Sequence, residues 1–194
     1  MAMDILKLIK NRRTIRKYKN KAVPKKIINK IIEAGRWASS IHGFQPWMFI
    51  VITKKNIIKK LAEIICKESK NIGTGSNILM SSTAETISKA SMLIAVYNTG
   101  TFVNFAKKFR KDYVEIASLS EIESISAAIQ NMIITAKNYG IGSCWAAIPL
   151  FCEKDISRLI NTSDKLVAIL TLGFPAEEGK RSRRKSVSET VRYI

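Results

Sequence analysis

Apolar residues recur along this chain in two rhythms, one helical and one strand-like. Ile5, Leu8 and Ile9 share one face of a short amphipathic helix over 3–11. The segment RRTIRKYKNKAV that follows is basic and irregular. Pro24 stands where a helix starts, because its missing N–H costs nothing there. Ile27, Ile28, Ile31, Ile32 and Ala34 then carry a helix over 24–38. After a loop at 39–46, WMFIVIT (47–53) is continuously apolar and reads as a strand buried on both faces. Ile57, Ile58, Leu61, Ile64 and Ile65 predict a helix over 54–70.

Residues 71–88 are rich in Gly, Ser and Thr and read as a mobile loop. SMLIAVYN (91–98) is a second strand, and 100–119 has no clear rhythm. The strongest helical signal runs over 121–139, apolar almost all round and so expected in the centre or at a subunit interface. Gly140 is placed to end it. On that helix Gln130 and Asn131 are polar groups that need partners, expected across a dimer. GSCWAAIPLF reads as a strand and loop, 153–161 as a short helix, and LVAILTLGFP (166–175) as a buried strand. The tail EEGKRSRRKSVSETVRYI has little core character and is expected to leave the domain. No repeat or linker is visible. Strands separated by helices, with one long central helix, predict a layered α+β or α/β fold in a single domain over 1–194.

Composition narrows the function classes. The hydrophobic fraction of 46% suffices for a core in 194 residues, and no apolar run is long enough to span a membrane. The N-terminus lacks the apolar stretch of a signal peptide. Cys66, Cys144 and Cys152 form no CxxC, so a zinc or iron–sulfur site is not expected and a reducing cytoplasm is the expected compartment. The net charge of +18 is concentrated at the ends: residues 1–30 hold eleven of the 33 Lys and Arg, and residues 180–194 hold six. Such ends could serve nucleic acid, could converge on one phosphorylated ligand, or could be solvated surface.

Arginine forks suit phosphate. Arg12, Arg13 and Arg16 surround Thr14, and Lys180, Arg181, Arg183, Arg184 and Lys185 follow a strand and turn. There is no GxGxxG, GxxxxGK[ST] or GxSxG motif. His42 is the sole histidine, and no acid partner for it is in view. Cys144 reads as a small apolar residue. Side-chain catalysis is thus poorly provided for, and a cofactor is the expected bearer of any chemistry.

Four blocks then carry a resemblance: RRTIRKY with Val23-Pro24, ASSIHGFQPWMFIVI, AIQNMIITAKNYGIGSCW, and LGFPAEEGKRSRRKSVSETV. In this order they resemble the nitroreductase family of flavoproteins, leaving only about 70–120 unanchored. The resemblance implies a three-layer α/β/α fold with a mixed, mostly antiparallel sheet and a long interface helix. It implies a homodimer with FMN at the interface and a C-terminal tail reaching the partner. NADH or NADPH would reduce FMN, and a nitroaromatic, quinone or similar electron-poor acceptor would reoxidise it in ping-pong fashion. The FMN contacts it implies fall on Arg12, Arg13, Thr14 and Arg16. The tail arginine at the phosphate is Arg184, or Arg181 or Arg183 by a shift of register. Ser39, Ser40, Ile41 and Gly43 would form the wall donated by the partner, and Trp145, Ala146, Ala147 and Ile148 the backbone near the flavin N5. Arg16 would lie near the N1/O2 edge. Ser39 replaces the family's proline, Gly43 its asparagine, and Ala147 a glutamate of some members. No membrane is expected as a partner, and nucleic acid is the lesser expectation. A flavin-binding protein without turnover and a basic nucleic-acid-binding module are the alternatives.

Overall fold

The computed structural model describes residues 5–71, 74–109 and 112–194. The elements are α1 (Ile5–Asn11), α2 (Lys25–Arg36), β1 (Trp47–Ile52), α3 (Lys55–Ser69), α4 (Thr74–Lys89) and β2 (Met92–Asn98), followed by α5 (Thr101–Ala106), α6 (Tyr113–Asn138), β3 (Gly142–Ala146), α7 (Glu153–Ile160) and β4 (Lys165–Gly173). Short 3-10 turns lie at Ile41–Gly43 and Ile148–Cys152. The strands form one sheet in the order β1-β2-β4-β3, with every neighbouring pair antiparallel. A parallel component enters through a single bridge between Thr14 and Ser143.

Successive side chains of a strand point to opposite faces, and both faces of β2 are covered. Met92, Ile94 and Val96 pack with α2 and α6 in one core, while Leu93, Ala95 and Tyr97 pack with α3 and α4 in another. The result is the expected α/β/α layering. Gly35 lets α2 press onto α6: a Cβ there would stand 2.8 Å from Met132 Cγ. Asn131 Nδ2 donates to Ala34 O at 3.1 Å, so its partner is α2 of the same chain. Gln130 is exposed.

Three expectations change. Strand β1 is a sheet edge, with Met48 and Val51 exposed, so continuous hydrophobicity there does not mean burial on both faces. The Ser/Thr-rich stretch expected as a loop is helix α4, with residues 72 and 73 outside the described residues. Its Met80, Ala84 and Ile87 are buried against α3, and Thr83 and Thr86 return their hydroxyls to the carbonyls of Leu79 and Ser82. Those internal bonds neutralise side chains that otherwise favour turns. The long helix starts at Tyr113, so the rhythmless 100–119 divides between α5 and the first turns of α6.

The C-terminus of α6 is a Schellman motif. Gly140 has φ +70, its N–H bonds Lys137 O at 3.0 Å, and the Ile141 N–H bonds Ala136 O at 2.9 Å. At the other end of α6, the fully buried Glu121 accepts from the N–H groups of Phe102 (2.7 Å) and Val103 (3.0 Å) and from Asn98 Nδ2 (2.8 Å). It thereby satisfies the N-terminus of α5. Beyond β4 the chain crosses back over the N-terminal segment, and residues 180–194 are exposed. Among the described residues no helix is long and apolar enough to cross a membrane.

Candidate functional site

Residues 12–18 form an extended strip held between β3 and the chain beyond β4. The Ile15 N–H donates to Ser143 O at 2.9 Å, and the Ala176 N–H donates to Lys17 O at 2.9 Å. Glu177 Oε1 accepts from the backbone N–H groups of Arg16 (2.7 Å) and Lys17 (3.2 Å). Two glycines permit this close packing. A Cβ on Gly142 would lie 2.9 Å from Ile15 side-chain atoms. One on Gly179, at φ +75, would lie 2.7 Å from Arg13 Cβ and 3.0 Å from Thr14 O. Thr14 and Arg16 face one side of the strip, while Arg13 and Ile15 face the other.

On the Thr14/Arg16 side lies a cavity of about 760 Å³. Cys144 and Thr171, cross-strand partners in β3 and β4, line it, and Trp145 to Ile148 continue the same wall. Helix α4 contributes Ser82, Thr83 and Thr86, and the exposed Leu150 and Phe151 stand at the rim. Arg16 is its one charged lining residue among the described residues. Behind the wall, Tyr18 OH donates to Ile15 O at 2.6 Å, which leaves Thr171 Oγ1 to donate to Tyr18 OH at 2.7 Å. Burial raises the Tyr18 phenol and the Cys144 thiol above their ordinary values, and nearby Arg16 opposes both shifts. Both groups are therefore protonated at neutral pH. The backbone N–H of Ile148 opens the 3-10 turn, ahead of its first internal hydrogen bond (Leu150 N–H to Ala147 O), so it is a donor without a helical partner.

A second cavity, about 620 Å³, shares Arg16, Ser82 and Thr86 with the first and adds Thr14, Lys17, Lys89 and Lys180. On the opposite side of the strip, Arg12, Arg13 and Lys137 line a smaller cavity of about 330 Å³. Partial burial, then the charges of Arg184 and Arg13, hold the Arg12 guanidinium below its ordinary pKa. Arg13 Nη1 donates to Lys10 O (2.6 Å) and Arg12 O (2.8 Å), and Arg184 Nη1 to Ser182 Oγ and Arg183 O. Cations crowded this way favour an anion between them.

The structure thus gathers Arg16, Trp145, Ala146, Ala147 and Ile148 on one cavity, Thr14 on its neighbour, and Arg12, Arg13 and Arg184 in an adjacent cluster. Arg181 and Arg183 are exposed and line none of these cavities. Ser39, Ser40, Ile41 and Gly43 do not reach them within one chain either. Their loop packs on α5 and α6, with the Ile41 N–H donating to Ser124 Oγ at 3.0 Å and His42 beside the Phe102 ring. His42, Gly43 and Gln45 all have positive φ. Sequence reasoning missed Lys17 and Lys89; it expected residues 71–88 to shape the pocket, but as a loop where the structure has helix α4. The signal that could have found α4 was the helical spacing of Met80, Ala84 and Ile87 beneath its hydroxyls.

With this geometry in hand, comparison with known proteins fixes the class. Residues 9–174 match the family model described as Nitroreductase family, and the chain belongs to that family. The Methanothermobacter thermautotrophicus protein named "Putative NADH dehydrogenase/NAD(P)H nitroreductase" is 26% identical over 90% of this chain and 79% of its own. Iodotyrosine deiodinase of Danio rerio is 25% identical over 89% of this chain and 60% of its own. A BluB-like flavoprotein from Clostridium difficile 630 shares the fold with a TM-score of 0.82, at 24% identity and full coverage of both chains. A Desulfovibrio desulfuricans protein crystallised in complex with FMN has a TM-score of 0.75 at 21% identity, covering 100% of this chain and 98% of that one.

Proposed function

We propose that the protein is an FMN-dependent oxidoreductase that takes electrons from NADH or NADPH and delivers them to a small electron-poor acceptor in a ping-pong cycle. The observation that carries this reading is a mostly apolar, ring-sized cavity whose one charged lining residue among the described residues, Arg16, stands on the same short strip as Arg12, Arg13 and Thr14. The donor set suits the cofactor: guanidinium groups and a threonine hydroxyl for a phosphate, a strand wall for a flat ring, and an Ile148 N–H without a helical partner. FMN bound there would supply the hydride and electron chemistry.

The roles of the chain's own groups follow. Arg12, Arg13, Thr14 and Arg184 bind the phosphate end, with Arg181 and Arg183 as outlying charge. Arg16 sets a positive charge at one edge of the ring. Trp145, Ala146, Ala147 and Ile148 orient the ring and shield its face from water. No side-chain acid or base is needed, which agrees with protonated Cys144 and Tyr18 on or behind that wall. The FMN-bound state of the Desulfovibrio protein and the name borne by the Methanothermobacter relative support cofactor and donor respectively.

The reading includes a homodimer. Phe105 on α5, Phe109 in the turn after it, and Ile116, Leu119 and Ile122 on α6 are exposed apolar residues near the 39–43 loop. Pairing through these residues would bring Ser39, Ser40, Ile41 and Gly43 to the partner's cavity, and the exposed tail would reach across. A visible spectrum of the purified protein tests the core of the proposal. Flavin bands that bleach with NADH or NADPH and return with an acceptor are expected. The acceptor panel includes a halogenated tyrosine besides nitroaromatics and quinones. Protein that stays colourless after incubation with FMN refutes the reading.

A further inference from the structure

Two groups of cations flank the 12–18 strip, whereas FMN carries one phosphate. Arg12 and Arg13, partly buried, and the exposed Arg184 form the first group, with guanidinium forks suited to a resident ligand. The second group lies around the cavity of about 620 Å³ that adjoins the ring-sized one. It draws Lys17 from the strip, Lys89 from the last turn of α4 and Lys180 from the chain beyond β4, alongside Arg16.

Two carboxylates share this cavity, and both are engaged. Glu177 accepts the N–H groups of Arg16 and Lys17, and Glu85 pairs with Lys89. Contact with Lys89 first, and the charge of Lys17 in addition, lower the Glu85 pKa, so it is ionised at neutral pH. The cavity nevertheless keeps four cations against two anions, with Thr14 and Ser182 hydroxyls beside them. The lysines are solvent-exposed. Exposed ammonium groups on flexible stems suit an anion that arrives and leaves, as a donor must in a ping-pong cycle.

We infer that Lys17, Lys89 and Lys180 form a phosphate subsite for the exchanging electron donor, and that it selects a dinucleotide bearing an extra phosphate monoester on its adenosine ribose, NADPH over NADH. The inference rests on the proposed function for the donor's identity, although the subsite itself is defined by its cations.

Two arms test it on the flavin-loaded protein. Steady-state kinetics would give an NADPH:NADH ratio of kcat/KM of about tenfold or more at low salt, falling as ionic strength rises. The Lys17→Gln/Lys89→Gln variant would cut that ratio several-fold with flavin content retained, and Glu85→Gln would raise it. The second arm needs no turnover: calorimetry should show adenosine 2′,5′-bisphosphate binding more tightly than AMP, with the preference lost in the double lysine variant. Equal affinity for the two nucleotides overturns the inference. So does loss of FMN from the lysine variants with the nucleotide preference intact, since the lysines would then hold the cofactor. Nucleotide discrimination without turnover would instead sink the proposed function and leave the subsite standing.

Discussion

Glu177 Oε1 accepts the backbone N–H of Arg16 at 2.7 Å across 161 positions of sequence. One carboxylate thereby holds the strip that carries Thr14 and Arg16 against the chain beyond β4. Glu177→Ala leaves the N–H groups of Arg16 and Lys17 without this acceptor. Because the pair is partly solvated, the expected loss is about 1–2 kcal/mol, read as a lower urea midpoint. Under the proposed function the variant is also expected to bind FMN more weakly, whereas an unchanged midpoint would remove Glu177 from this role.

Glu121 is a stronger test of architecture. It is fully buried and accepts three hydrogen bonds at the start of α5. Glu121→Ala strands those donors, and each buried unsatisfied group costs about 1–3 kcal/mol. Destabilisation above about 3 kcal/mol is expected in chemical denaturation. Glu121→Gln keeps one acceptor oxygen and should cost less.

Arg16 is the one charged side chain on the ring-sized cavity among the described residues. Under the proposed function its charge favours the reduced, anionic cofactor. Arg16→Gln should then make the flavin midpoint potential more negative by roughly 20–30 mV, the two-electron equivalent of about 1 kcal/mol. Spectroelectrochemistry measures this directly, and a potential that does not move would place the cation away from the ring.

Gly43 has φ +73 with nothing within 4 Å of a Cβ built on it. Asparagine is the residue besides glycine that most readily adopts this left-handed backbone. Gly43→Asn is therefore expected to cost well under about 1 kcal/mol, and Gly43→Val about 1–2 kcal/mol. The asparagine-to-glycine departure from the family pattern thus preserves the loop's path and removes only the side chain. Thermal melting of the two variants separates these outcomes.

Burial, followed by the charges of Glu68 and Asp155, pushes the Cys152 thiol up to about 11. The unfolded chain's thiol ionises at its lower ordinary value. The folded state therefore has this stability in full below that value and loses it as pH rises towards about 11. A loss of about 1 kcal/mol is expected after allowing for solvent screening. Melting temperatures between pH 8 and 11 should fall less in Cys152→Ala than in the wild type.

The layered fold was legible because its central strands and long helix carry unbroken apolar periodicity. Met92 to Val96 are buried throughout, as are Ile125, Ala128, Ile129, Met132, Ile133 and Ala136 along the helix. Strand β1 misled because an edge strand beside a helix can be as apolar as a central one. Helix α4 misled because Ser and Thr favour turns until their hydroxyls find a carbonyl one turn back, as Thr83 and Thr86 do. Thr14, Arg16 and Trp145 to Ile148 were legible through the family resemblance. The lysine rim was not, because Lys17, Lys89 and Lys180 lie far apart in sequence and meet only after the sheet is assembled.

The Glu177 clasp also bears on the order of events during synthesis. Arg12, Thr14 and Arg16 leave the ribosome well ahead of their partners Ser143, Glu177 and Arg184, which are made more than a hundred residues later. A nascent chain therefore carries exposed arginines with no anion pocket to gather them. Under the proposed function, capture of a phosphorylated ligand becomes a late step, available only once β4 has closed the sheet and the chain has turned back over the 12–18 strip.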